Sequence, residues 1–155
     1  MSSLRFSEDA KRLLDLLTPP ATVIDSQIGQ GQYSQYFREQ GFEVIGFEHA
    51  GKMEETLIPH RTIAAIWLSD SSQNLDPAHL TTRLRLCADW LIPGGYLAMI
   101  LRAGEGMKRV NAQITYLYQA EQADALLQSA GFTPVTAWLD GPLERQYIHI
   151  IAQRL

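Results

Sequence analysis

At 155 residues, 46% apolar and 19% charged with a formal net charge of −4, the chain is one domain's worth, able to bury about two-thirds of the surface its unfolded form exposes. Mild acidity without a run of like charge argues against a nucleic-acid backbone or an anionic membrane as the main partner, since either needs a basic face, and leaves small molecules as the expected ligands. No stretch approaches the roughly 20 apolar residues of a membrane span, and "MSSLRFSEDAKRLLDLL" lacks a charged segment followed by a continuous apolar one, so a cytoplasmic protein is expected.

In chain order, Ser7 is expected to cap an N-terminal helix within residues 1–20, with Ala10, Leu13, Leu14 and Leu17 on one face and Pro19 and Pro20 as its stop. "ATVIDS" reads as a short apolar strand. Tyr33, Tyr36 and Phe37 keep helical spacing up to Gly41, and "FEVIGFE" returns to extended structure, which makes a βαβ unit with parallel strands. "TIAAIWLS" is apolar enough for a strand covered on both faces.

Asp76 followed by Pro77 is an N-cap with proline at N1, opening a helix with Leu80, Leu84, Ala88 and Leu91 on its stripe. The lone Cys87 falls in that helix as a packing residue, with no partner for a disulfide. "IPGG" is expected to turn the chain into the strand "YLAMIL", with Pro93 and Gly94 at the inner positions of a type II turn. A loop, "RAGEGMKRVNAQ", leads to an extended "ITYLY" and then to the helix "EQADALLQSAG", which buries Ala123, Leu126, Leu127 and Ala130. "FTPVTAWL" and "YIHIIAQ", joined by a short loop without a helix, predict a closing antiparallel hairpin.

A mostly parallel α/β sheet finished by an antiparallel hairpin resembles the class I S-adenosylmethionine-dependent methyltransferase fold, a Rossmann-like single domain over residues 1–155. The family's first motif is a strand ending in an acid followed by alternating glycines; "DSQIGQG" supplies Asp25, Gly29 and Gly31, with Gln27 in place of the first glycine. A Cβ at Gln27 tolerates positive φ poorly, where the motif needs a sharp turn and close approach. Glu48 ends the second strand, where the resemblance implies a carboxylate binding ribose hydroxyls. "AAIWLSDSS", "WLIPGGYLAMILRAGEG" and "YLYQAEQADALLQSAGF" are similar to the family's fourth strand, its proline-glycine turn with fifth strand, and its late helix. Only 14 residues separate Glu48 from Ile63, where a helix, a strand and their joints take about 25. The sheet is therefore expected to be shortened after its second strand, leaving an edge that a second copy could cover as a homodimer. "MEETLIPHR" could retain a vestige of the lost strand, kept short by Pro59.

What the resemblance implies is a small-molecule methyltransferase with S-adenosylmethionine as cofactor. Asp25, Gln27, Gly29, Gly31, Glu48, His49, Trp67 and Ser69 would touch the cofactor, and Asp70, Ser71, Arg102 and Glu105 would border the acceptor. The bland reading of each is a residue that makes the fold or sits solvated in a loop. His49, His60, His79 and His149 are scattered without metal-ligand spacing; no metal site is expected, and His149 reads as a sheet-face residue before a general base. The alternative is a non-catalytic binding or assembly protein of the same fold with a degenerate cofactor site, motivated by Gln27 and the lost stretch. A nicotinamide-binding domain is weaker still, because Ser34 stands where a third glycine is needed.

Overall fold

A computed structural model describes residues 2–26, 32–46, 57–68 and 75–155. Its helices are α1 (Ser2–Asp15), α2 (Gln32–Glu39), α3 (Pro77–Trp90) and α4 (Ala120–Ser129). The strands are β1 (Thr22–Asp25), β2 (Glu43–Gly46), β3 (Ile63–Leu68), β4 (Leu91–Ala103), β5 (Met107–Val110), β6 (Gln113–Tyr118), β7 (Phe132–Asp140) and β8 (Tyr147–Arg154). Strands β2, β1, β3 and β4 run parallel in that order; β8 lies antiparallel against β4, and β7 antiparallel beyond β8. A Rossmann-like, mostly parallel sheet closed by an antiparallel hairpin is therefore the observed architecture. Among the described residues no strand lies beyond β2, so the sheet is short on that side, and residues 57–59 carry no regular structure.

Alternation along the strands sends side chains to two faces. Ile24, Ile66, Leu68, Leu97, Met99, Leu101, Ile148 and Ile150 pack against Leu80, Leu84 and Cys87 of α3 and Ala123 and Leu127 of α4. On the other face Val23, Ala65, Trp67, Ala98 and Ile151 meet Ala10, Leu13 and Leu14 of α1 and Tyr33 and Phe37 of α2. These are the apolar stripes expected from the sequence, except that Leu91 opens β4 instead of continuing the α3 stripe and Leu126 is only partly buried. The cap at Asp76 is also present, its carboxylate accepting the His79 backbone N–H at 2.8 Å.

Three local expectations are corrected. Helix α1 starts at Ser2, so Ser7 lies inside it and not at its start; residues 2–6 contain no proline or glycine to interrupt it. "IPGG" keeps at Gly94 the positive φ that a type II turn needs, but lies inside β4 and not before it: Leu91 pairs with Ile63 and Tyr96 with Ala65, so five steps along β4 face two along β3. Gly94 has φ +81, and a Cβ on Gly95 would sit 3.0 Å from the carbonyl oxygens of Ala64 and Ile92, so both glycines are required there. Finally, the expected loop after β4 contains β5, hairpinned to β6 through Asn111 (φ 52) and Ala112 (φ 67). Two positive φ values match the right-handed twist of a hairpin, and without a glycine the turn leaves little signal.

Candidate functional site

The strand order reverses at β1, which has β2 on one side and β3 on the other. In open α/β sheets, the crevice beyond the strand ends at such a switch point is where ligands bind. Asp25 ends β1 with a buried carboxylate that accepts the Ser34 hydroxyl of α2 at 2.8 Å. This pins the first turns of α2 to the mouth of the crevice. Next to it, Ser26 donates twice to the Trp67 carbonyl, from its backbone N–H at 3.0 Å and its hydroxyl at 2.8 Å, locking β1 to β3. Gln27, Gly29, Gly31, Glu48, His49, Ser69, Asp70 and Ser71, which follow the ends of β1, β2 and β3, lie outside the described residues.

Trp67 is not at the rim as its sequence position suggests. Its indole is 1% exposed, 5.0 Å from the Tyr33 ring and edge-on to Phe37 at 6.1 Å, so it forms part of the floor beneath the crevice. Among the described residues its Nε1–H has no acceptor.

A second polar cluster occupies the same face further along the sheet. Register places Arg102 of β4, Tyr147 of β8 and Asp140 of β7 in one row, and Ile100, His149 and Trp138 in the next. The Arg102 guanidinium lies 5.8 Å over the Tyr147 ring. His149 is buried, with Nδ1 2.5 Å from the Asp9 carboxylate of α1 and Nε2 3.4 Å from Asp140, without hydrogen-bond geometry to it. Its ring stacks on Trp138 at 5.2 Å and 4°. Arg12 covers the Trp138 indole at 4.3 Å and pairs with Glu8 at 3.1 Å.

Sequence reasoning did not assemble this cluster, although a signal was present. Asp9 lies four residues before Leu13 on the buried stripe of α1, and His149 interrupts an otherwise apolar strand. Two polar residues out of phase with their patterns mark a pair across the core.

Glu105 is not part of that face. It sits in the turn between β4 and β5, accepts the Gln119 side-chain amide at 2.7 Å, and lines a depression of about 580 Å³ beside the N-terminus of α4. Tyr118, in the same depression, donates its hydroxyl to the Leu75 carbonyl at 2.5 Å, and burial pushes its phenol up to about 12. Among the described residues, no group of three or more ligating side chains is arranged to hold a metal ion, and no helix is long and apolar enough to cross a membrane.

The sheet order, the switch point at β1 and the closing hairpin define the class I S-adenosylmethionine-dependent methyltransferase fold. A Burkholderia thailandensis 1,6-didemethyltoxoflavin-N1-methyltransferase, solved with 1,6-didemethyltoxoflavin and S-adenosylhomocysteine, superposes with a TM-score of 0.79 at 21% identity, over 95% of this chain and 76% of its own. Geranyl diphosphate C-methyltransferase from Streptomyces coelicolor A3(2), solved with Mg2+, geranyl diphosphate and S-adenosylhomocysteine, gives 0.73 at 17% identity over 96% and 80%. The 4+2 cyclase SpnF gives 0.69 at 13% over 94% and 80%. No family model and no curated protein sequence matches the chain.

Proposed function

We propose that this chain is an S-adenosylmethionine-dependent methyltransferase acting on a small molecule. The observation that carries the reading is the switch point at β1, where Asp25 and Ser34 hold α2 against the crevice. The methyltransferases of like fold solved with S-adenosylhomocysteine and with small substrates support it.

The described part of the crevice fits such a cofactor. Asp25 is already satisfied by Ser34, so α2 keeps its N-terminal turn toward the ligand without a competing charge at the surface. Bound there, the cofactor would supply an electrophilic methyl group. Gly29 and Gly31 would let the backbone approach it, with Gln27 and His49 alongside and Ser69 at the end of β3. Glu48 would accept the ribose hydroxyls. Asp70, Ser71 and Arg102 would border the acceptor. Glu105, on the α4 side, would serve the acceptor only if the latter reached round the end of β4. Orienting two reactants against each other supplies much of the rate in such transfers, and a cytoplasmic single-domain enzyme is the setting we assign.

Calorimetric titration with S-adenosylmethionine tests this. Micromolar binding that weakens in Glu48→Ala is expected; no binding, or unchanged affinity in that variant, would overturn it.

One observation favours a second reading, a non-catalytic binding or assembly protein of this fold: the sheet ends at β2 among the described residues, on the side where the cofactor's adenine would need support. In that reading two copies pair along β2 as a homodimer. Cofactor binding in the titration would count against it, and a dimer lost on substituting Val44 of β2 by proline would count for it.

A further inference from the structure

We propose that the Asp9–His149 pair beneath α1 is the proton acceptor of an acceptor subsite, and that its ligand is a neutral small molecule bearing a hydroxyl or N–H. This rests on the methyltransferase reading and names the chemistry of its acceptor side.

Position comes first. Leu68, the last residue of β3, pairs with Met99, and the next residue of β4, Ile100, pairs with His149. His149 therefore stands level with the strand ends, in the row where ligands of this sheet type lie. It is on β8, two strands from β3, about 10 Å at usual strand spacing, a distance one small acceptor spans.

The chemistry follows from the partners. Nδ1 lies 2.5 Å from the Asp9 carboxylate, so in the neutral ring the proton on Nδ1 is donated there and the lone pair is on Nε2. The Trp138 stack fixes the plane of the ring. Nε2 is buried without a hydrogen bond, a state that native proteins rarely keep without a use. His149 and Trp67 border one cavity of about 10 Å³, room for a single water-sized group. Trp67, which borders the same cavity, has an Nε1–H that is likewise without a partner among the described residues. Asp9 and Trp138 line this cavity and also an outer depression of about 240 Å³ with Glu8, Leu139 and Asp140, so only these side chains stand between the two.

A hydroxyl seated there donates to Nε2 and accepts from Trp67. On transfer its O–H bond breaks, the proton bonds to Nε2, and the electron pair stays on the oxygen, which becomes the nucleophile; an N–H acceptor behaves alike. The imidazolium so formed has Asp9 on one nitrogen and Asp140 3.4 Å from the other. Among the described residues, the further charges facing the cluster are Glu8 and Arg12 of α1, paired with each other, and Arg102 of β4, one row nearer the strand ends. The competing arrangement is a permanent imidazolium that merely fastens α1 to the sheet.

Nuclear magnetic resonance of 15N-histidine-labelled protein separates the two. The His149 signals are assigned by their loss in His149→Gln or, should that variant not fold, by elimination with His49→Gln, His60→Gln and His79→Gln. At about pH 8 the expected state carries a proton on Nδ1 only, with the Nε2 resonance shifted by millimolar phenol and the single tautomer lost in Asp9→Asn. An imidazolium still doubly protonated at about pH 9, or an Nε2 signal that phenol does not move, would overturn the proposal. Calorimetry with S-adenosylmethionine on the same sample distinguishes the failures: binding without the Nε2 response removes the subsite alone, whereas the Nε2 response without cofactor binding removes the methyltransferase reading and leaves a hydroxyl-binding site.

Discussion

The two faces of the sheet are built to different standards. Against α3 and α4 the buried layer is almost wholly apolar, with Leu80, Leu84 and Cys87 fully enclosed beside Trp90, Tyr118 and Phe132. The layer against α1 and α2 also carries Asp9, Asp25, Ser34 and His149; Ser26 and Arg83 are the other buried polar residues among the described ones. Burying polar groups costs stability unless each is partnered, so a face that keeps four of them gives up stability that the first face retains. The first face is built for packing, and the second places polar side chains at the strand ends.

Substitutions can break this contrast. Leu84→Ala, on the apolar face, should cost the most, about 3 kcal/mol in denaturant unfolding, because a fully enclosed side chain leaves a cavity. Cofactor affinity of the folded protein should not change. If affinity fell as well, the division between the faces would not hold.

Ser34→Ala should cost about 2 kcal/mol, since it removes a hydrogen bond to a buried carboxylate. Here calorimetry should also find weaker binding of S-adenosylhomocysteine, because the pin on α2 is lost. A stability loss with unaltered affinity would move Asp25 to the purely structural side.

Tyr118→Phe should cost about 1 kcal/mol at neutral pH through the bond to Leu75. Its pH signature is sharper. The folded phenol titrates near 12 and the unfolded one near 10, so only the unfolded state ionises in between, and stability falls as pH rises across that window. Unfolding curves measured through it should show a component in the parent protein that the variant lacks.

Asp76→Ala should have the smallest effect, a slightly lower unfolding midpoint. The backbone N–H of His79 holds the Asp76 carboxyl below its usual range, so its stabilisation is present above the ordinary carboxylate pKa and is lost as pH falls through the lowered one. A midpoint difference between parent and variant that persists at low pH would contradict the cap.

Much of the architecture was legible from local chemistry. Asp76 with Pro77 marked a helix start, the stripes of α3 and α4 followed from period, and the closing hairpin from a short joint between two apolar runs. The hairpin β5–β6 was hidden because Asn111 and Ala112 adopt positive φ without a glycine, and the start of α1 because a plausible cap inside a helix looks like a cap at its end. At the site, Asp25 was recognisable from its place at a strand end. Trp67, expected among the cofactor contacts, is instead buried, because sequence position gives the end of a strand but not which layer covers it.

By itself, the sequence determined the order of every element but β5, most of their buried stripes and the shortness of the stretch after the second strand, since these depend on period, turn chemistry and chain length. Tertiary structure alone decided that Asp9 meets His149, 140 residues away, that Asp140 and Trp138 flank the same ring, and that Glu105 turns to the opposite face. Such pairings depend on strand order and register, which bring distant residues together only after the sheet has assembled.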